Sequence, residues 1–208
     1  MKNTSATAEG QLEEYEFKAA PTLVLIFANV AMYIYTSLLS NSFVAINPYV
    51  LAYYGQWNLA VFNGYYWQLV SSMFVHISIA HIASNMLFLF IFGLRAEDLF
   101  SSVEYYAIYF ASGLTGNVLS LLAGPNVVSA GASGAIFGVF GADVIFLRKS
   151  TGQSIFVSLM FAFMFLIMSI SIETNLFAHF GGLIAGLALG YGLASTKRLE
   201  TRKSRYAD

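Results

Sequence analysis

Cysteine is missing altogether from this chain of 208 residues. That excludes disulfide frameworks, thiolate metal sites and a cysteine nucleophile. Charge is nearly as scarce. Asp, Glu, Lys and Arg make up 10% of the residues, against about 25% in soluble domains, and a soluble sphere could not cover its surface with so few. The net charge is -1, and no dense basic stripe interrupts the apolar segments, so a nucleic-acid-binding surface is excluded as well. What fills the chain instead is hydrophobic: 58% of the residues, with a mean hydropathy of +0.67. Arranged in long runs, this composition has lipid as its solvent.

The runs number six, over residues 21–39, 80–94, 103–123, 133–147, 154–172 and 176–195. Most approach the roughly 20 residues that cross a hydrocarbon core of about 30 Å. Residues 1–20 are polar and rather acidic, and lack the basic start and short apolar core of a signal peptide. They are expected to form a cytoplasmic tail, with 21–196 as the membrane domain and 197–208 as a basic cytoplasmic tail. Pro21 is placed to open the first helix, where its missing N–H is not needed. The fold predicted is an all-α polytopic bundle of six transmembrane helices.

Residues 41–75 carry no charge but many aromatics, among them Tyr53, Tyr54, Trp57, Tyr65, Tyr66 and Trp67. Tyr and Trp concentrate at the headgroup level, so this region is expected to be a partly immersed loop with a short helix or two. All ten Lys and Arg fall in the segments on one side of a six-span chain: Lys2 and Lys18, Arg95, Arg148 and Lys149, and five from Lys197 to Arg205. By the positive-inside rule both termini are cytoplasmic, in a multi-pass protein of a cell membrane.

Against this apolar background, polar residues inside the spans are functional candidates. The fourth run is short. Beginning at Ser133, fifteen residues rise about 22 Å, so its outer end starts below the outer surface and the 124–132 loop must line a wet cavity. His81 is 14 residues above Arg95, about 21 Å, and His179 is 18 above Lys197, about 27 Å. Ser133, His81 and His179 therefore converge at comparable depth from three helices. Asn85 shares a helix face with His81. Gly134, Gly138 and Ala142 repeat every fourth residue in the fourth span, as do Ala178, Gly182, Gly186 and Gly190 in the sixth. Small residues in that pattern let helix backbones approach closely. The bulky fifth span and the 124–132 loop are the candidates for admitting a substrate helix.

A serine beside a histidine makes a nucleophile and its general base. The Ser133 N–H at a helix N-terminus, with the His81 and Asn85 side chains, offers donors to an oxyanion. Gly131 and Gly134 permit a sharp turn and close backbone approach around the serine. Asp143, ten residues along the same helix, lies about 15 Å away, too far to orient the base. A solute channel lined by His81, Asn85 and His179 is a different reading, disfavoured by the confinement of these polar residues to the outer half. His76, His81 and His179 around zinc is another, disfavoured because no carboxylate joins them at that depth. No metal or cofactor is expected.

Three segments together, GASGAIFG at 131–138, HISIAHIASN at 76–85 and AHFGGLIAG at 178–186, resemble the rhomboid intramembrane serine proteases. The likeness spans about 21–196. It implies Ser133 as nucleophile and His179 as base, with an oxyanion site from His81, Asn85 and the Ser133 N–H. It implies hydrolysis of peptide bonds in or near the transmembrane segments of membrane-protein substrates, and Gly131, Gly134, Phe137 and Gly182 as structural support. Phe137 stands where many relatives carry a tyrosine packed on the histidine, and Trp67-Gln68 stands where the family has Trp-Arg. Glu97 matches an acidic residue with a structural hydrogen-bonding role. The alternative is a catalytically inactive rhomboid-fold protein that binds membrane helices; such relatives usually lack the serine or the histidine.

Overall fold

The computed structural model describes residues 21–152, 154, 156, 160 and 175–205. Apolar stretches of the length just counted become helices because only a helix satisfies every backbone N–H and C=O within lipid. Helix α1 spans Pro21–Ser40 and α5 Ile79–Leu99, with three short helices between them: α2 Pro48–Tyr54, α3 Asn58–Phe62 and α4 Gln68–Ser71. Helix α6 spans Ser102–Ser120 and tightens into a 3₁₀ turn over Leu121–Ala123. Helix α7 follows at Ser133–Thr151 and α8 at Leu176–Arg205. Among the described residues, α1, α5, α6 with its 3₁₀ turn, and α8 as far as Thr196 are long and apolar enough to cross a membrane. The protein is thus an all-α polytopic membrane protein. The predicted fifth span, 154–172, lies almost wholly outside the described residues.

One predicted boundary is corrected. The fourth span runs to Thr151 rather than 147, because Arg148 and Lys149 continue its last turn and Gly152, at φ 75°, closes it in the left-handed conformation. Helix α8 runs on through Arg205, so the basic segment that follows the last apolar run continues the same helix; Lys, Arg, Leu and Glu are all good helix formers.

Most of the uncharged polar residues of the described spans face inward. Helix α1 buries Leu25, Asn29, Tyr33, Thr36 and Ser37 along one face, while Phe27, Leu38 and Leu23 point outward. Asn29 Nδ2 donates to the α1 carbonyl of Leu25 at 2.8 Å and to Tyr109 Oη on α6 at 3.4 Å. Glu97 Oε1 accepts from the backbone N–H of Thr22 at 2.8 Å, tying the first turn of α1 to the end of α5. Small-residue stripes set the closest approach. A Cβ on Gly182 would overlap the carbonyl of Gly134, one on Gly186 that of Gly138, and one on Gly190 that of Ala142. The two four-residue stripes therefore mesh position by position, with backbone against backbone. Helix α6 joins on the other side, where Gly116 leaves room for the carbonyl of Ala178.

The region between α1 and α5 is held by neutral amides. Gln68 is buried; its Oε1 accepts from Trp57 N at 2.9 Å, and its Nε2 donates to the carbonyls of Ala52 at 2.9 Å and Tyr53 at 3.0 Å. An uncharged side chain thus fixes the loop where the resemblance places an arginine. Gln68→Leu strands those three backbone groups and should destabilise the protein by about 1–3 kcal/mol. Thermal unfolding in detergent micelles would read this as a lowered midpoint, and an unchanged midpoint would remove Gln68 as the anchor.

The same region carries a feature not foreseen from the sequence. Gln56–Trp57 (β1) pairs antiparallel with Val128–Ser129 (β2), Gln56 opposite Ser129. Asn58 N and Leu59 N donate to the carbonyls of Val127 and Pro125, and Asn58 Nδ2 to those of Ser120 and Gly124. The 124–132 loop is accordingly fastened along its length to the loop between α1 and α5.

Candidate active site

Ser133 opens α7, one residue after the turn that leaves β2. Gly131 sits in that turn at φ 130°, a conformation that side chains resist. A Cβ there would also press on the ring of His81, 2.9 Å from Cε1. Glycine at 131 thus serves both the turn and the approach of the imidazole. The Gly131 N–H donates to the carbonyl of Ser72 at 2.9 Å, and the Ala132 N–H reaches His76 Nε2 at 3.4 Å. As the first residue of its helix, Ser133 has an N–H with no carbonyl one turn earlier to receive it.

His179 lies in the first turn of α8. Its Nε2 is 2.7 Å from Ser133 Oγ, across 46 positions of sequence. The ring of Phe137, one turn beyond Ser133, stacks on the imidazole with centroids 4.5 Å apart and planes 27° apart. His179 is 6% exposed. The glycine stripes explain this meeting: with α7 and α8 in backbone contact at Gly134 and Gly182, Ser133 and His179, just before those glycines on their helices, are within hydrogen-bonding reach.

His81 is placed by the start of α5. Ser78 caps that helix, its Oγ accepting from His81 N at 3.2 Å, which seats His81 at the third helical position. Asn85, one turn further, donates from Nδ2 to the His81 carbonyl at 2.9 Å, which uses one of its two amide hydrogens. The cavity measures about 550 Å³ and is lined by His81, Asn85, Gly131, Ser133, Phe137 and His179, among others. All the site residues expected from the sequence except Gly182 thus border one space of a size suited to a ligand. Gly182 lies behind it, where α7 and α8 touch. Asp143, buried ten residues along α7, does not line it.

His76 was singled out in the sequence only for its residue type. It is fully buried, with Nδ1 3.3 Å from the carbonyl of Phe74 and Nε2 facing the Ala132 N–H. Both nitrogens are spoken for by backbone. Burial, and secondarily the neighbouring His81, pushes its pKa down to about 3, which keeps the ring neutral and Nε2 an acceptor. It props the turn that presents Ser133. Asn117 works on the same segment, donating to Leu69 O at 2.8 Å and Ser72 Oγ at 2.9 Å. Neither role has a local sequence signal, because both partners lie far along the chain.

Chemically, the arrangement sets a hydroxyl against an imidazole nitrogen inside a partly polar cavity. A helix N-terminus and two polar side chains border the same space. Comparison with known proteins gives the family. Residues 63–196 match the family model described as the Rhomboid domain. The chain is 31% identical over 178 residues to the Bacillus subtilis protein YdcA, covering 82% of this chain and 87% of that one. It is 31% identical to the rhomboid protease GluP of the same organism, over 82% of this chain but 35% of the relative. It is 29% identical to Rhomboid-like protease 3 of Toxoplasma gondii, over 78% of this chain and 65% of that protein. The chain therefore spans most of the first of these, and about a third and under two thirds of the other two.

Proposed function

The chain belongs to the rhomboid family, and we propose that it is an intramembrane serine endopeptidase working through a Ser133–His179 dyad. The observation that carries this reading is the 2.7 Å contact between Ser133 Oγ and His179 Nε2 within the cavity. Ser133 Oγ attacks the scissile carbonyl while His179 Nε2 accepts the hydroxyl proton. The oxyanion that forms is met by the Ser133 N–H and by His81 and Asn85. His179 then gives its proton to the leaving amine, and water releases the acyl group by the same steps. No carboxylate orients the imidazole in this scheme. The stacked Phe137 ring limits its rotation instead, and its missing hydroxyl takes no part in proton transfer.

The substrates are transmembrane segments of other membrane proteins, bound from the lipid bilayer, and the working unit is the membrane domain 21–196. Both termini face the cytoplasm of a cell whose plasma membrane holds the protein, since every Lys and Arg then lies on the inner side.

A fluorophosphonate probe, which reacts with an activated serine and needs no substrate helix, tests the proposal. Purified protein in detergent should be labelled at Ser133, and His179→Ala should abolish labelling. An unlabelled wild type, or labelling indifferent to His179, would leave the chain as a rhomboid-fold protein that binds helices without cutting them.

A further inference from the structure

The glycine stripes hold α7 and α8 together from Ala178 inward, yet His179 sits within the first turn of α8, at the end those stripes barely reach. Asn175 stands just before that turn. Its Nδ2 donates to Ser129 Oγ at 2.6 Å and also to Ser120 Oγ. Its Oδ1 accepts from Ala178 N at 3.2 Å, and its main-chain carbonyl accepts from His179 N at 3.2 Å. The two hydroxyls are themselves 3.3 Å apart. Ser120 ends α6, and Ser129 belongs to β2, four residues before Ser133.

Asn175 therefore joins three elements at one point: the helix that carries His179, the strand that leads to Ser133, and the end of α6. Although it borders the cavity, both amide hydrogens and the amide oxygen are engaged within the protein, so it has no donor to offer a substrate. Resting on the protease reading above, we infer that Asn175 is a positioning residue: it caps α8 and tethers it to Ser129 and Ser120, fixing the Ser133–His179 distance. Without the tether the first turn of α8 can shift relative to β2, and a displacement of about 1 Å in such a geometry costs on the order of 100-fold in rate.

Three variants separate the cap from the tether. Asn175→Ala removes both. Asn175→Ser keeps an acceptor for the Ala178 N–H but is too short to reach both hydroxyls. Ser129→Ala with Ser120→Ala keeps the asparagine and removes what it holds. Cleavage of a fluorogenic transmembrane substrate in proteoliposomes gives kcat and KM, fluorophosphonate labelling gives the reactivity of Ser133, and thermal unfolding monitors the fold. All three variants should lose kcat by about 10- to 100-fold, with KM little changed and labelling slowed in parallel. The double serine variant should do so at a wild-type unfolding temperature. Wild-type kcat in the double variant, or full recovery in Asn175→Ser, would overturn the tether while leaving the protease reading intact. A wild type that neither cleaves nor labels would remove both together.

Discussion

Ser133→Ala should lower cleavage of a transmembrane reporter by about 1000-fold or more while the protein inserts and folds as before. The magnitude follows from the loss of the attacking atom. What survives the removal of a nucleophile is whatever the oxyanion donors and binding contribute by themselves. Stability should hardly change, because the hydroxyl is partly exposed to the cavity and its one described partner, His179, is left with room for water. The measurement is paired: product formation in proteoliposomes and unfolding temperature in micelles. Wild-type turnover by the alanine variant would end the assignment of Ser133. A collapsed unfolding temperature would instead show the hydroxyl to be structural.

The second large effect is expected at a position that touches no substrate. At Gly182 a methyl group would overlap the carbonyl of Gly134. Backbone cannot turn aside as a side chain can, so Gly182→Ala must push α7 and α8 apart. Overpacking of this kind costs about 1–3 kcal/mol. The functional loss should be greater in proportion, because Ser133 and His179 are carried one on each helix. A separation of about 1 Å costs on the order of 100-fold in kcat. Gly192, on the same helix with nothing within 4 Å of a Cβ, is the control, and Gly192→Ala should leave turnover and unfolding temperature near wild type. If Gly182→Ala were equally silent, helix contact at that point would not set the geometry of the dyad.

That glycine pair also shows what was legible in the sequence. Two four-residue stripes of small residues could be read directly, and their meshing follows from lipid packing. The helical rise counted from the positive charges sets Ser133, His81 and His179 at comparable levels of their helices, and the three border one cavity. The end of α7 lies beyond the last apolar residue, because Arg148 and Lys149 continue the helix rather than bound it. Gly152 after Arg148 and Lys149 was the available signal for the true end of α7. The supports of the site were not legible. Gln68, His76, Asn117 and Asn175 act through main-chain groups or hydroxyls many positions away, and no local period announces such partners. The pairing of Gln56–Trp57 with Val128–Ser129 is hidden for the same reason, since two residues are too few to show an alternating pattern.

The loop region between α1 and α5 is held without a single ion. Gln56, Asn58 and Gln68 do work that charged side chains could have done, and from residue 19 to residue 94 the sequence contains no Asp, Glu, Lys or Arg. This matters before the protein is folded. In the proposed orientation the whole first loop must be carried across the bilayer during synthesis, when none of its amides yet has its partner. An unpaired charge in that stretch would resist transfer by about 2.5–3.5 kcal/mol at the centre of the membrane. A neutral loop crosses without that barrier and gains its rigidity afterwards, on the far side, where the amides find their carbonyls.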